Sequence, residues 1–170
     1  MNRIIIGIDP GSLITGYGVI QSDGRRSQHI ASGCLMIAGE SLAARLNVIF
    51  REVNALIEAH RPGELAIERV FVARNAASAL KLGHARGAAI CAAVSHKLPV
   101  AEYSARSVKQ AIVGRGGASK IQVQHMVRHL LALMHIPKPD AADALAVALC
   151  HAHTSATLGR LPRAIHGRSA

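Results

Sequence analysis

Tryptophan is absent from this 170-residue chain, and Tyr17, Phe50, Phe71 and Tyr103 are its whole aromatic complement. So sparse a set excludes a single-strand binder built on base-stacking platforms. It equally excludes an RNA-recognition sheet carrying aromatic triplets. Cysteine is nearly as scarce. Cys34, Cys91 and Cys150 are odd in number, far apart and in no C-x-x-C. They point to neither a disulfide framework nor a zinc site, and fit a reducing cytoplasm, where they serve as small core residues. Long apolar runs are missing too. The opening MNRIIIGID has one basic residue and an apolar run of only Ile4–Ile6, so it does not read as a signal peptide. The longest weakly polar stretch, Gly87–Val94, falls far below the ~20 residues a membrane span needs. Acids are the last shortage. Ten Asp and Glu stand against twenty Lys and Arg, with a pI of about 10.6. That balance favours an anionic partner such as nucleic acid or a phospholipid surface.

What is present is a core. Half of the residues are hydrophobic, which excludes a disordered chain and suits one domain. The order of patterns predicts βββαβαβα and then helices. Ile4–Asp9 is a short apolar run of the kind buried on both faces. Thr15–Gln21 and His29–Met36 follow, separated by the hairpin signal Asp23-Gly24. Leu42, Leu46, Ile49, Phe50, Val53, Leu56 and Ile57 then recur at helical spacing, with Ser41 as N-cap and Pro62-Gly63 as the stop. Leu65–Glu68 is a fourth strand, Ala76–His96 an Ala/Gly-rich helix, Leu98–Tyr103 a fifth strand and Ala105–Val113 a helix. Ser119 and Gln122 make a capping box for a helix whose apolar stripe is Val123, Met126, Val127, Leu130, Leu131 and Met134. Asp140 starts a last helix reaching about His153. The domain is therefore 1–153, and 154–170, with Arg160, Arg163 and Arg168, is read as a basic disordered tail. Antiparallel strands first and crossovers later predict an α/β fold: a mixed five-stranded sheet with helices on both faces.

Three of these positions present acids at the end of an element. Asp9 ends the first strand and Glu68 the fourth. Asp140 and Asp143 share one face of the last helix. In open α/β sheets the site lies beyond the carboxyl ends of strands. If strands one and four are adjacent and parallel, Asp9 and Glu68 converge there, and the last helix need only direct its N-terminus to them. Hard divalent cations stabilise clustered carboxylates, and Mg2+ prefers oxygen ligands. Two such ions ~4 Å apart can activate water and stabilise a leaving oxygen in phosphodiester cleavage. Plainer roles remain for each acid: Asp140 as an N-cap, Asp143 as a charge favoured by the helix dipole, Asp9 as a turn residue, Glu68 as a paired or edge glutamate. Arg74, Lys81, Arg86, Lys109, Arg115 and Lys120 cluster in sequence around the acids as phosphate contacts or solvated charges. Phe71 is a wedge between bases or a core residue. Gly114–Gly117 lacks the Walker pattern and reads as a hinge. The pair His151 and His153 reads as a solvated helix end rather than zinc ligands. Small residues at Ala79, Gly83, Gly87 and Ala88 would admit a partner helix or the chain's own sheet.

Longer motifs carry a resemblance. Ile6-Gly7-Ile8-Asp9-Pro10-Gly11-Ser12 with Thr15-Gly16-Tyr17-Gly18 is similar to the opening of the RuvC crossover junction endodeoxyribonucleases. Ala66-Ile67-Glu68 with Val70-Phe71, Asn75, Ser78–Gly83 and Ala85-Arg86-Gly87 resembles that family's second acidic motif and following helix. Val108-Lys109-Gln110, Lys120 with Gln122–Val127, and Asp140–Ala146 complete the match, which runs to about His153. The resemblance implies an RNase H-like fold, a homodimer, and Mg2+-dependent paired nicking of strands of like polarity across a four-way (Holliday) DNA junction. It implies two Mg2+ per site, for which Mn2+ can substitute, and the RuvA–RuvB branch-migration proteins as partners. Asp9, Glu68, Asp140 and Asp143 match the catalytic, metal-binding acids. Lys109 and Lys120 match basic residues near the site, and Phe71 an aromatic touching the opened junction. Some relatives carry His in place of Asp143. Three other readings stand beside this one: a nucleic-acid binder without catalysis, an actin-like ATPase (for which 170 residues is short) and a related nuclease acting on RNA.

Overall fold

The computed structural model describes residues 2–70 and 76–158. Three strands open it: β1 (Arg3–Asp9), β2 (Ile14–Ser22) and β3 (Ser27–Met36), joined as an antiparallel meander. Helix α1 (Leu42–His60) crosses to β4 (Glu64–Glu68), and α2 (Ala76–Ser95) leads to β5 (Val100–Tyr103). Three helices follow: α3 (Ala105–Val113), α4 (Lys120–Leu130) and α5 (Pro139–Leu158). The sheet order is β3-β2-β1-β4-β5, with β1, β4 and β5 parallel. This is the mixed five-stranded sheet expected from the sequence, and strands one and four are indeed neighbours.

Period-two alternation assigns each strand residue to a face. Ile6, Ile8, Leu65 and Ile67 pack against Ile49, Val53 and Ile57 of α1 and Ala85, Ala89, Ala92 and Ala93 of α2. Ile5 and Ala66 face the opposite layer with Val108, Val123, Val127 and the length of α5. That last helix is buried almost continuously from Ala141 to Ala152. It is apolar on every side, as a helix enclosed between a sheet and other helices must be. Pro139 sits in its first turn, where a missing N–H leaves no bond unmade. Each fully buried Ile or Leu contributes ~1.5–3 kcal/mol.

Capping follows the sequence closely. Ser41, Ser104 and Ser119 each accept an N–H from the first turn of their helix, and Ser119 with Gln122 forms the reciprocal capping box. Three boundaries differ from expectation. Helix α1 ends on Arg61 in the left-handed region (φ 46°), not on the following Pro-Gly. Helix α4 stops at Leu130, leaving Met134 85% exposed and outside the apolar stripe. Helix α5 continues past His153 through Leu158, so residues 154–158 are helical and the tail expected there cannot begin before 159. Its continuation has a local cause: Ser155 donates to the His151 carbonyl oxygen at 2.7 Å and accepts from Arg3 at 2.8 Å.

Candidate active site

Asp9 and Glu68 are the last residues of neighbouring parallel strands, and alternation turns both toward the layer of α3–α5. The turn after Asp9 is pinned by Thr15, which is fully buried and donates its hydroxyl to the Gly11 carbonyl oxygen at 2.9 Å. Sequence reasoning passed over Thr15; its signal is a hydroxyl at a buried strand position.

Two glycines let the last helix reach these acids. Gly16 pairs with Asp9 across β1–β2. A Cβ on Gly16 would stand 2.0 Å from the carbonyl oxygen of Asp140, and one on Gly7 2.2 Å from that of Ala144. Neither position can hold a side chain with α5 where it is. The glycines of the opening motif are thus what lets the start of α5 lie directly on β1 and β2, bringing Asp140 and Asp143 beside Asp9.

The result is a cleft of about 160 Å3 lined by Asp9, Glu68, Asp143, Lys109, Lys120 and Val108. A second cleft continues past Asp9 and Glu68 to Arg69 and Leu82. Lys120 Nζ lies 3.3 Å from Asp143 Oδ2. Burial, then the charges of Glu68 and Asp143, push the Asp9 carboxyl up to about 7, against partial relief from Lys120. Burial, then Asp143, also raises Glu68, while Lys120 and Lys109 pull it down. Lys120 is raised in turn, first by Asp143.

These shifts come first from burial and then from neighbouring carboxylates. The donors are hard carboxylate oxygens, the class that divalent Mg2+ or Ca2+ takes. Among the described residues no three His, Cys, Asp or Glu already enclose an ion position. The donor chemistry fits a hard cation, and Lys120 is paired with Asp143.

The other basic positions disperse. Arg86 donates to Glu102 at 2.6 Å, a carboxylate that also faces Arg69 at 3.5 Å. In register with Ile67, Glu102 lies on the α1–α2 face, away from the acid cleft. Lys81 lines an apolar pocket with Arg45, Leu13 and Leu42, also on the α1–α2 side. Arg115 is exposed beyond α3 and lines neither cleft. Phe71 and Arg74 lie outside the described residues. His151 is buried (7% exposed), which overturns its reading as a solvated helix end. It bonds Tyr103 Oη through Nδ1 at 2.8 Å and Glu64 through Nε2.

Comparison with known proteins identifies the family. The family model described as crossover junction endodeoxyribonuclease RuvC matches residues 5–151. The chain is 57% identical over 169 residues to the RuvC of Pseudoalteromonas atlantica, covering 97% of this chain and 98% of that protein. It is 58% identical to that of Vibrio vulnificus, covering 91% and 90%. Among solved structures, Thermus thermophilus RuvC in complex with a Holliday junction substrate superposes with a TM-score of 0.86 at 35% identity, covering 91% of this chain and 96% of that one. The yeast mitochondrial Holliday junction resolvase Ydc2, at 14% identity and a TM-score of 0.69, shares the fold. The sheet and its helices are accordingly RNase H-like, and the family's nuclease is metal-dependent. This chain belongs to the RuvC family of crossover junction endodeoxyribonucleases.

Proposed function

We propose that this chain resolves four-way DNA junctions by paired, symmetric hydrolytic nicks during recombination and repair. The observation that carries this reading is the cleft in which Asp9, Glu68 and Asp143 crowd negative charge that Lys109 and Lys120 only partly offset. Asp9, Glu68, Asp140 and Asp143 would hold Mg2+, two per site, with Mn2+ as a substitute. Bound there, the metal supplies an activated water and charge stabilisation at the leaving oxygen.

The chain's own residues do the rest. Asp9 and Glu68 are anchored on the sheet, and Asp140 and Asp143 on a buried helix, so only their side chains need turn to close on a metal. Lys109 and Lys120 bring positive charge to the phosphate that is cut. Lys120 exchanges its pairing with Asp143 for a phosphate oxygen when DNA arrives. Arg115 and Lys81, exposed away from the acids, would meet phosphates farther along the arms. Arg86 would act through Glu102, and Phe71 and Arg74 would reach the opened junction centre.

A two-fold junction needs two cuts, and a C2 dimer supplies two pockets related by the same operator. The outer face of α2 supports pairing there. A Cβ on Gly83 or Gly87 would meet nothing within 4 Å, and Leu80 and Val94 are 61% and 60% exposed. The RuvA–RuvB branch-migration complex is the expected partner. The protein would act in the cytoplasm, in keeping with three free cysteines and with no described helix long and apolar enough to cross a membrane.

The test is cleavage of a synthetic four-way junction and of matched duplex, by wild type and Asp9→Asn, in Mg2+ and in EDTA. Paired nicks on the junction alone, lost in the variant and in EDTA while binding survives, are expected. Binding without metal-dependent cutting would leave a non-catalytic binder, and equal cutting of duplex would remove the junction preference.

A further inference from the structure

The end of the sheet opposite the acid cleft has a charge pattern of its own. The β2–β3 hairpin turns there through Asp23–Arg26. Asp23 Oδ1 accepts the backbone N–H groups of Arg25 and Arg26, each at 2.7 Å. Those bonds, Arg26 first, hold the Asp23 carboxyl below its ordinary range. The one acid of the turn is thus committed to backbone. The Arg25 and Arg26 side chains are exposed, and neither makes an ion pair among the described residues.

Beside the turn opens a cleft of about 270 Å3. Arg25, Arg26, His153 and Leu130 line it, together with the buried Leu149. Leu130 is 38% exposed at the end of α4, whose last turn also carries Arg128 and His129.

Three physical points select the occupant. A basic rim around Leu130 suits carboxylates joined to an apolar side chain; a phosphate backbone gains nothing from the leucine. Along β2 this pole stands six residues from Gly16, the residue paired with Asp9, or ~20 Å. A partner seated here therefore leaves the acid cleft open to DNA. Finally, β3 is a sheet edge, but its register shifts where Ile30 has no partner between Ala31 and His29. A bulge blunts an edge against strand addition, so recognition here runs through side chains.

We propose that this cleft docks an acidic segment of another protein, with its carboxylates on Arg25 and Arg26 and one apolar side chain against Leu130. Charge-assisted bonds to paired guanidiniums are strong and orienting, and complementary charge accelerates encounter. The site lies far enough from the acid cleft for a docked partner and a cut junction to be held together.

The probe is a fluorescein-labelled peptide of roughly twelve residues alternating glutamate and leucine, titrated by anisotropy into the full-length protein. Its control replaces glutamate with glutamine. Saturable binding of the acidic peptide alone is expected, weakened at least ~10-fold by Arg25→Glu/Arg26→Glu, with less loss in Arg25→Ala/Arg26→Ala. Junction cleavage by both variants should stay within about twofold of wild type, since these residues stand apart from the acids. Absence of saturable binding, or binding indifferent to the arginines, overturns the proposal. So does an equal loss of junction affinity in the charge-reversed variant, which would make this pole a DNA contact.

Discussion

Glu64 and Glu68 are the first and last residues of one five-residue strand, and both face the layer of α5. Their circumstances are opposite. Burial pushes Glu64 up, yet the hydrogen bond and charge of His151 and the charge of Arg3 outweigh it and hold the carboxyl below its ordinary range. Arg3 Nη1 sits 3.0 Å away, and His151 is fixed in turn by Tyr103. Burial also pushes Glu68 up, and there Asp143 adds to the rise. At one end of the sheet Arg3, Glu64 and His151 form a closed polar network that fastens α5 to β1 and β4, and Tyr103, in register with Glu68, reaches it from β5. The other end leaves like charges facing each other. Uncompensated charge is kept only where something outside the chain completes it.

Removing that charge should have the largest effect. Asp9→Asn is expected to lower single-turnover junction cleavage by at least ~10³-fold. It should also raise thermal stability in EDTA, because it relieves repulsion at a buried site. The pH dependence follows from the raised carboxyl. Between the ordinary 3.8 and about 7 the folded protein binds a proton at Asp9 that the unfolded chain does not. Metal-free stability therefore falls as pH rises through that window, by a few kcal/mol on the scale of ~1.4 kcal/mol per unit. Melting in EDTA from pH 4 to 8 checks this; Asp9→Asn should flatten the slope, and so should Mg2+ in wild type. A slope identical in the variant would mean that Asp9 is not the titrating group.

Gly16→Ala attacks the same end without touching a charge. The added methyl must displace the Asp140 backbone. Overpacking of this kind costs ~1–3 kcal/mol, and a misplaced carboxylate lowers cleavage by about 100-fold. Melting temperature and cleavage rate together test it. A variant that melts normally and cuts normally would show that the close approach of α5 is dispensable.

These two variants mark what could be read from the residues. The succession of strands and helices and the caps Ser41 and Ser119 follow from periodicity and from Ser at helix starts, so Asp9 and Glu68 could be placed at strand ends, but their adjacency rested on strands one and four being neighbours, which alternation does not fix. Asp140 and Asp143 could be placed on one helix face. How close α5 lies could not be read, because it depends on Gly7 and Gly16 having no Cβ opposite particular carbonyls of a distant helix. The partners of the basic residues were equally hidden. Lys120 meets Asp143 and Arg86 meets Glu102 across gaps of 23 and 16 residues, and charge alone does not say which cation is committed. His151 misled for the same reason: its partners Glu64 and Tyr103 come from strands far away in sequence.

At the closed end the expected loss is of stability, not rate. Glu64→Gln leaves His151 and Arg3 facing a neutral amide and should cost about 1–3 kcal/mol. Cleavage per folded molecule should stay near wild type, as Glu64 lies at the opposite end of β4 from Glu68. Urea unfolding measures the first and active-site-titrated cleavage the second. A rate loss larger than the stability loss would show that the two ends of the sheet are coupled through α5.

Lys120→Met should give the smallest effect and the most specific one. Lys120 lowers both Asp9 and Glu68, so its loss lets both carboxyls rise further. Protons then compete longer with the metal as pH increases, and the acid limb of the rate–pH profile should move to higher pH. Cleavage at pH 7 should fall ~10-fold and recover at pH 8.5 to 9, whereas Lys120→Arg keeps the charge and should hold the limb in place. Raising Mg2+ should move the displaced limb back, because metal and proton compete for the same oxygens. A pure phosphate contact behaves differently. It would raise KM and lower the salt slope of binding by about one unit without moving the limb. The pH profile therefore separates a lysine that tunes the acids from one that only holds DNA.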